Sequence, residues 1–152
     1  MSTALPLEGG CQCGGCRYRI GGEPLRMAMC FCQECKRGSG SMFGASLIVR
    51  KEDFELTKGV SKSWTRIADT GRPVEQHFCP DCGCRLFHVP TWQDGVINVR
   101  AGTLDDTTQY RPTLAVWNIR QPDWLHVDGL EATFEKQTGS SPLTAGKEAA
   151  SQ

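Results

Sequence analysis

Cys30-Phe31-Cys32-Gln33-Glu34-Cys35-Lys36-Arg37 packs three thiols into six residues, and its reading decides how the rest of the chain is organised. Two further arrays accompany it, Cys11-Gln12-Cys13 near the start and Cys79-Pro80-Asp81-Cys82-Gly83 past the middle. Seven of the nine cysteines fall in these arrays, a pattern that reads as two metal sites rather than a disulfide framework. Thiolates at such spacings converge on Zn²⁺, which takes four soft ligands in a tetrahedron about 2.3 Å away. In a strand, residues i and i+2 share a face, so both C-x-C pairs are expected to present paired sulfurs without a turn. The C-P-D-C pair does the same from a bend suited to Pro80 and Asp81, with Gly83 able to take a positive φ after the second ligand. A four-ligand site is closed and structural, whereas a three-ligand site leaves a corner for chemistry. Cys11-x-Cys13-x-x-Cys16 and Cys30-x-Cys32-x-x-Cys35 have the same spacing, so spacing leaves open which triplet forms the three-ligand site. Cys16 and Cys84 read as spare buried thiols.

At 152 residues the chain is long enough to bury a core as one domain. The hydrophobic fraction of 39% is modest, so metal binding is expected to carry part of the folding free energy. Lys plus Arg equals Asp plus Glu at 17 each. That balance argues against a nucleic-acid partner, since counterion-release binding needs clustered cations, and Lys36-Arg37 and Arg50-Lys51 are too short to supply them. No apolar run approaches the ~18 residues of a membrane span. Met1 to Gly10 shows neither a basic n-region nor an apolar h-region. The expected location is the cytoplasm, where thiols stay reduced and spaced cysteines bind metal.

The body reads as short extended runs punctuated by turn residues, at 17–20, 26–32, 42–49, 61–67, 74–78, 85–89, 96–100 and 114–119. This predicts a mainly β fold, a single domain of twisted antiparallel sheets of short strands organised around the zinc-cysteine sites. Single turns of helix are expected at Gln33–Arg37 and around Thr103–Thr107, where Thr103 can cap. The domain is expected over 7–137, with a frayed start at 1–6 and a disordered tail at 138–152.

The ordered set of motifs resembles the glutathione-dependent formaldehyde-activating enzyme family, which also includes centromere protein V. Matching stretches are Gly10-Cys11-Gln12-Cys13-Gly14 with Arg17-Tyr18, then Cys30 to Arg37 followed by Gly38-Ser39-Gly40-Ser41. Phe78 to Gly83, Ala101-Gly102-Thr103-Leu104-Asp105-Asp106 and Pro122-Asp123-Trp124 complete it, so the likeness covers about Leu7 to Phe134. The resemblance implies that Cys11, Cys13, Cys79 and Cys82 hold a structural zinc. It implies that Cys30, Cys32 and Cys35 hold a second, catalytic zinc with an open position, making two Zn²⁺ per chain. The activity it implies is that of a carbon–sulfur lyase joining formaldehyde to glutathione as S-hydroxymethylglutathione, with a small thiol such as glutathione as substrate. Arg37 is then the nearest fixed cation for a substrate carboxylate. Ser39 and Ser41, with the backbone N–H groups of 38–41, are candidate donors to a developing alkoxide. The plainer readings are an ordinary turn for the serines and a solvated surface charge for Arg37.

No general acid or base stands out. His77, His88 and His126 are isolated; His77, two residues before Cys79, can donate to a thiolate, but a core or surface role is the better expectation. Phe43, Trp64, Phe78, Phe87, Trp92, Trp117 and Trp124 are expected mostly in the core, with one or two walling a pocket. The competing readings are a zinc-stabilised binding module, a nucleic-acid-binding zinc protein and a lyase on a different thiol adduct.

Overall fold

The computed structural model describes residues 4–137 and the backbone of Pro142–Leu143. Residues 1–3 of the expected frayed start, and all but Pro142–Leu143 of the expected tail, lie outside them. The elements in order are β1 (Leu7–Gly10), β2 (Arg17–Ile20), β3 (Arg26–Cys30), α1 (Gln33–Ser39), β4 (Gly44–Arg50), β5 (Phe54–Lys58) and β6 (Lys62–Ile67). There follow β7 (Pro73–Phe78), β8 (Arg85–Pro90), β9 (Val96–Arg100), β10 (Leu114–Val116), β11 (Ala132–Phe134) and β12 (Pro142–Leu143). The mainly β expectation holds. Chain contacts define two compact units, each assembled from two separate stretches.

The first unit takes Met1–Leu25 and Leu47–Gln109. In it β1, β2 and β5 form an antiparallel sheet, and β9, β8, β7 and β6 run antiparallel in that order. Strand β2 alternates as expected for a half-buried strand, with Tyr18 and Ile20 at 1% and 0% exposure and Arg19 in solvent. The ring of Phe54 links Tyr18 to Phe87 at centroid distances of 5.5 and 4.7 Å. Fully burying a ring such as that of Tyr18 contributes roughly 1.5–3 kcal/mol. Gly59 closes the unit against the first cysteine array, since a Cβ there would stand 2.2 Å from the Gly15 carbonyl oxygen.

The second unit takes Arg26–Ser46 and Tyr110–Gln152. Its short sheet has β10 between β3 and β11, and both pairings are parallel. This departs from the antiparallel expectation. Parallel pairing needs a long crossover, which the chain meets because β10 and β3 are far apart in sequence. Met29, Phe31, Ala115, Trp117 and Leu130 form the buried core, with Cys30, Cys32, Phe43, Val116, Leu125 and Val127 packed on it.

Several local expectations change. Strands β1, β5 and β11 fall outside the runs read from sequence; β1 is glycine-rich and β11 only three residues long. The helix at 33–37 extends to Ser39 and stops at Gly40, whose N–H reaches the Lys36 carbonyl. Around Thr103 there is a 3₁₀ turn at Ala101–Thr103, and the Thr103 hydroxyl bonds back to the Arg100 carbonyl at 2.7 Å instead of capping. Among the aromatics, Phe87 and Trp117 are buried, but Trp64, Trp92 and Trp124 are 56%, 40% and 67% exposed. Trp64 sits on the outer strand β6, which has no buried residue.

Candidate metal centres

Among the described residues, two groups of thiols gather closely enough to hold an ion: Cys11, Cys13, Cys79 and Cys82, and separately Cys30, Cys32 and Cys35. Within each group every sulfur lies within 4.8 Å of the others. The four-sulfur group belongs to the first unit and the three-sulfur group to the second.

The four-sulfur group is built from two turns. The strand rationale for its C-x-C pair does not hold, because Cys11 and Cys13 follow β1 in a tight loop. There the Cys11 N–H bonds the Cys16 carbonyl at 3.1 Å, and the N–H groups of Cys16 and Gly15 point at the sulfurs of Cys11 and Cys13 at 3.2 and 3.4 Å. A strand commits its N–H groups to a ladder; a turn frees them to face sulfur. Cys79 to Cys84 repeats the device, with Cys79 N–H on the Cys84 carbonyl at 2.9 Å and Gly83 N–H on the Cys79 carbonyl at 2.9 Å. Gly83 has φ +76, as its place in the motif predicts, a conformation that would strain any residue bearing a Cβ. The sulfurs of Cys11 and Cys13 lie 3.6 Å apart, and those of Cys13 and Cys79 3.7 Å apart. A tetrahedron with 2.3 Å arms has edges of about 3.8 Å, so the donor set fits a zinc-sized ion.

The thiols cannot all ionise without a cation. Burial opposes the thiolate of Cys11, but the Cys16 N–H and the neighbouring thiols outweigh it and bring its pKa down to about 6. The Gly15 N–H favours the Cys13 thiolate, yet the sulfurs of Cys11, Cys82 and Cys79 push it up to about 12. A bound divalent cation relieves this repulsion. Cys16 and Cys84 stand beside the group without joining it. The Cys16 thiol turns to the Val60 carbonyl at 3.8 Å, and burial, then Cys79, raises it to about 11. Burial also raises Cys84.

The three-sulfur group joins a strand end to a helix start. Cys30 ends β3, where the Phe31 N–H bonds the Val116 carbonyl of β10 at 3.1 Å. Cys32 is the N-cap of α1, its Sγ accepting from the Cys35 N–H at 3.3 Å. Here too i and i+2 do not share a strand. The chain turns between Cys30 and Cys32, which is how both sulfurs reach Cys35. Cys32 and Cys35, and then burial, push Cys30 far above the usual thiol range. Among the described residues no fourth Cys, His, Asp or Glu joins the group. Phe31 is fully buried beneath it, with Phe43 edge-on at 6.4 Å and Trp117 in the same core. This donor set of three sulfurs also fits a thiophilic ion.

Around this trio the other expected residues are brought close in sequence but engaged differently. Arg37 is 71% exposed and pairs with Glu34 at 3.3 Å. The Ser39 hydroxyl donates to the Phe43 carbonyl at 2.7 Å, and Ser41 gives its N–H to Ser39 Oγ at 3.2 Å. The N–H of Gly40 is used by Lys36. His77 does not face a thiolate: its Nδ1 meets the Ser61 hydroxyl at 2.8 Å, its Nε2 pairs with Glu75, and its ring stacks on Phe87. Trp117, one of the aromatics expected in the core or walling a pocket, is buried. Its backbone has φ +60 and ψ +36, an outlier for a bulky residue, and Arg120 lies over its ring at 5.7 Å. Lys36 straps α1 to that turn by donating to the Arg120 carbonyl at 2.8 Å. Nothing in the local sequence marks a tryptophan for left-handed backbone. Strain of about 1–3 kcal/mol at one residue persists only where surrounding packing demands it.

Comparison with known proteins matches these features. A curated relative from Halomonas elongata, named a candidate glutathione-dependent formaldehyde-activating enzyme, is 25% identical over 131 residues, covering 82% of this chain and 83% of its own. A crystal structure of a Rhodobacter sphaeroides protein superposes with a TM-score of 0.52 at 20% identity, covering 64% of this chain and 87% of that one, and shows likeness of fold. The profile described as glutathione-dependent formaldehyde-activating enzyme matches residues 6–120, a span that holds both thiol groups. By that match, the chain belongs to the glutathione-dependent formaldehyde-activating enzyme family.

Proposed function

We propose that the chain is a zinc-dependent enzyme that joins formaldehyde to glutathione as S-hydroxymethylglutathione, a carbon–sulfur lyase reaction in its reverse sense, at the Cys30–Cys32–Cys35 trio. One observation carries the reading: four thiols gather in one unit and only three in the other. Cys11, Cys13, Cys79 and Cys82 would hold a bracing zinc, and Cys30, Cys32 and Cys35 a second. A zinc ion held by three thiolates supplies a Lewis-acidic corner that lowers the pKa of an added thiol.

The chain's own residues set the conditions there. Phe31, Phe43 and Trp117 make the side of the trio apolar, which strengthens charge interactions and keeps water out. Cys32 at the helix N-cap receives an N–H bond that favours its thiolate. Arg37, two residues beyond Cys35, would exchange Glu34 for a carboxylate of glutathione. Ser39 holds the turn by its bond to Phe43, and the exposed Ser41 hydroxyl would donate to the oxygen that gains charge as sulfur adds to the carbonyl.

Zinc counted with and without glutathione, alongside zinc-edge spectroscopy, tests the reading. Two ions per chain are expected, one coordinated by four protein sulfurs and one that gains a sulfur when glutathione is added. A second ion whose shell is unchanged by glutathione refutes it.

A further inference from the structure

Arg100 is a buried guanidinium without an acid. It stands at the end of β9 at 9% exposure, forms no ion pair among the described residues, and its Nη1 has no hydrogen-bond partner. A guanidinium is a permanent cation, and a buried charge is stable when paired. Its backbone is firmly held, with the Thr103 hydroxyl on its carbonyl at 2.7 Å and the Tyr18 hydroxyl on Thr103 at 2.8 Å.

Strand register extends this polarity along one face of the sheet. Asn98 lies two residues before Arg100 on β9, His88 faces Asn98 from β8, and Gln76 faces His88 from β7. Asn98 Nδ2 and His88 Nε2 are 2.9 Å apart. Gln76 is 3% exposed, and among the described residues its Oε1 and the Asn98 Oδ1 both lack partners. The row ends at Trp64 on β6, paired with Gln76 and 56% exposed, so it leads outward to solvent. A cationic donor and two amide acceptors, each with one unsatisfied atom, thus share one face, Arg100 and Asn98 on β9 and Gln76 two strands away across His88. Buried polar atoms left without partners are rare and mark a missing partner.

We propose that this row binds the zwitterionic α-amino-acid head of a small ligand, its carboxylate on Arg100 and its ammonium on the oxygens of Gln76 and Asn98. Free L-glutamate and the γ-glutamyl end of glutathione both carry that head. The inference rests on the proposed function only in naming glutathione as one source.

The test is calorimetric titration of the full-length, zinc-loaded protein with S-methylglutathione, L-glutamate and glutarate. S-Methylglutathione has a blocked sulfur, so it reports on this row and not on thiol capture. At least one of the two amino-acid ligands is expected to bind, with glutarate, which has no ammonium, roughly tenfold weaker or more. Tighter binding of S-methylglutathione than of L-glutamate assigns the site to the peptide, and the reverse to the free amino acid. R100M is expected to weaken binding by roughly tenfold or more and to leave the ligand-free melting midpoint unchanged or higher, because it removes an unpaired buried charge. Q76M serves as the second variant with the same readout should R100M not fold. Absence of binding at about 10 mM, or variants that bind as the parent does, overturns the proposal and leaves ordered water as the partner of these atoms. If glutathione then still alters the zinc shell, the proposed function stands without this site.

Discussion

The two thiol groups answer the same chemical problem with different architecture. In the first unit four sulfurs are held by two turns whose backbone N–H groups face them, and the group draws residues from positions 11 and 79, far apart in the chain. In the second, three sulfurs come from six consecutive residues where a strand passes into a helix, and they lie against an aromatic core. The first closes a long loop and fills its own shell. The second closes no loop, so metal there contributes little to chain topology and leaves its remaining face to the surroundings. Metal that cross-links distant segments stabilises a fold, because the unfolded chain has no such site. Metal gripped by a local segment is freer to serve chemistry.

Substitutions at the two groups should separate these roles. C79A removes a ligand that ties residue 79 to the start of the chain, and the expected result is loss of cooperative folding. Structural zinc contributes on the order of 10 kcal/mol in small zinc domains, comparable with the whole stability of a domain. Far-ultraviolet circular dichroism and a melting scan check it; a C79A protein that melts like the parent erases the distinction. C32A is expected to reduce bound zinc by one equivalent and activity by about a hundredfold or more, with the fold retained. Metal analysis and the rate of adduct formation measure this, and collapse of C32A would mean the second group braces the fold as well.

Smaller effects refine the picture. R37Q is expected to raise KM for glutathione about tenfold with kcat nearly unchanged, as the loss of a carboxylate contact would. A fall in kcat alone would place Arg37 outside ground-state binding. The least effect is expected from D105N. The Arg17 guanidinium, which follows the first thiol group, bonds Asp105 and holds its carboxyl below the usual range. Both side chains are partly exposed, so the pair is worth no more than about 1 kcal/mol. A carboxyl whose folded pKa is depressed stabilises the fold above its unfolded pKa, and that stabilisation fades as pH falls through the folded value. Parent and D105N should therefore differ near neutrality and converge in acid, as denaturant titrations at several pH values would report.

Much of this design is written in local residue order. Cysteine spacing, Gly83 after the second ligand, and short alternating runs such as Arg17–Ile20 all depend on neighbours a few positions away, and they appear where expected. What the chain order could not convey depends on distance or on packing. The parallel pairing of β10 with β3 joins segments more than eighty residues apart, which no local pattern announces. That Cys16 shares the spacing of a ligand and yet turns its thiol to Val60 is a matter of which direction the turn leaves it facing. The exposed Trp64 and the buried Gln76 reverse what hydropathy predicts, because membership of an outer or inner strand decides burial more than residue type does.

The amino-acid order alone determined that this chain gathers thiols for metal and builds around them from short strands, since ligand type and spacing are local properties. Only the folded chain decided which sulfurs meet, four from distant turns and three from one segment, and set Arg100 unpaired in the interior. Those outcomes follow from strand register and side-chain packing, which sum interactions across the whole chain and have no representation in any short stretch of it.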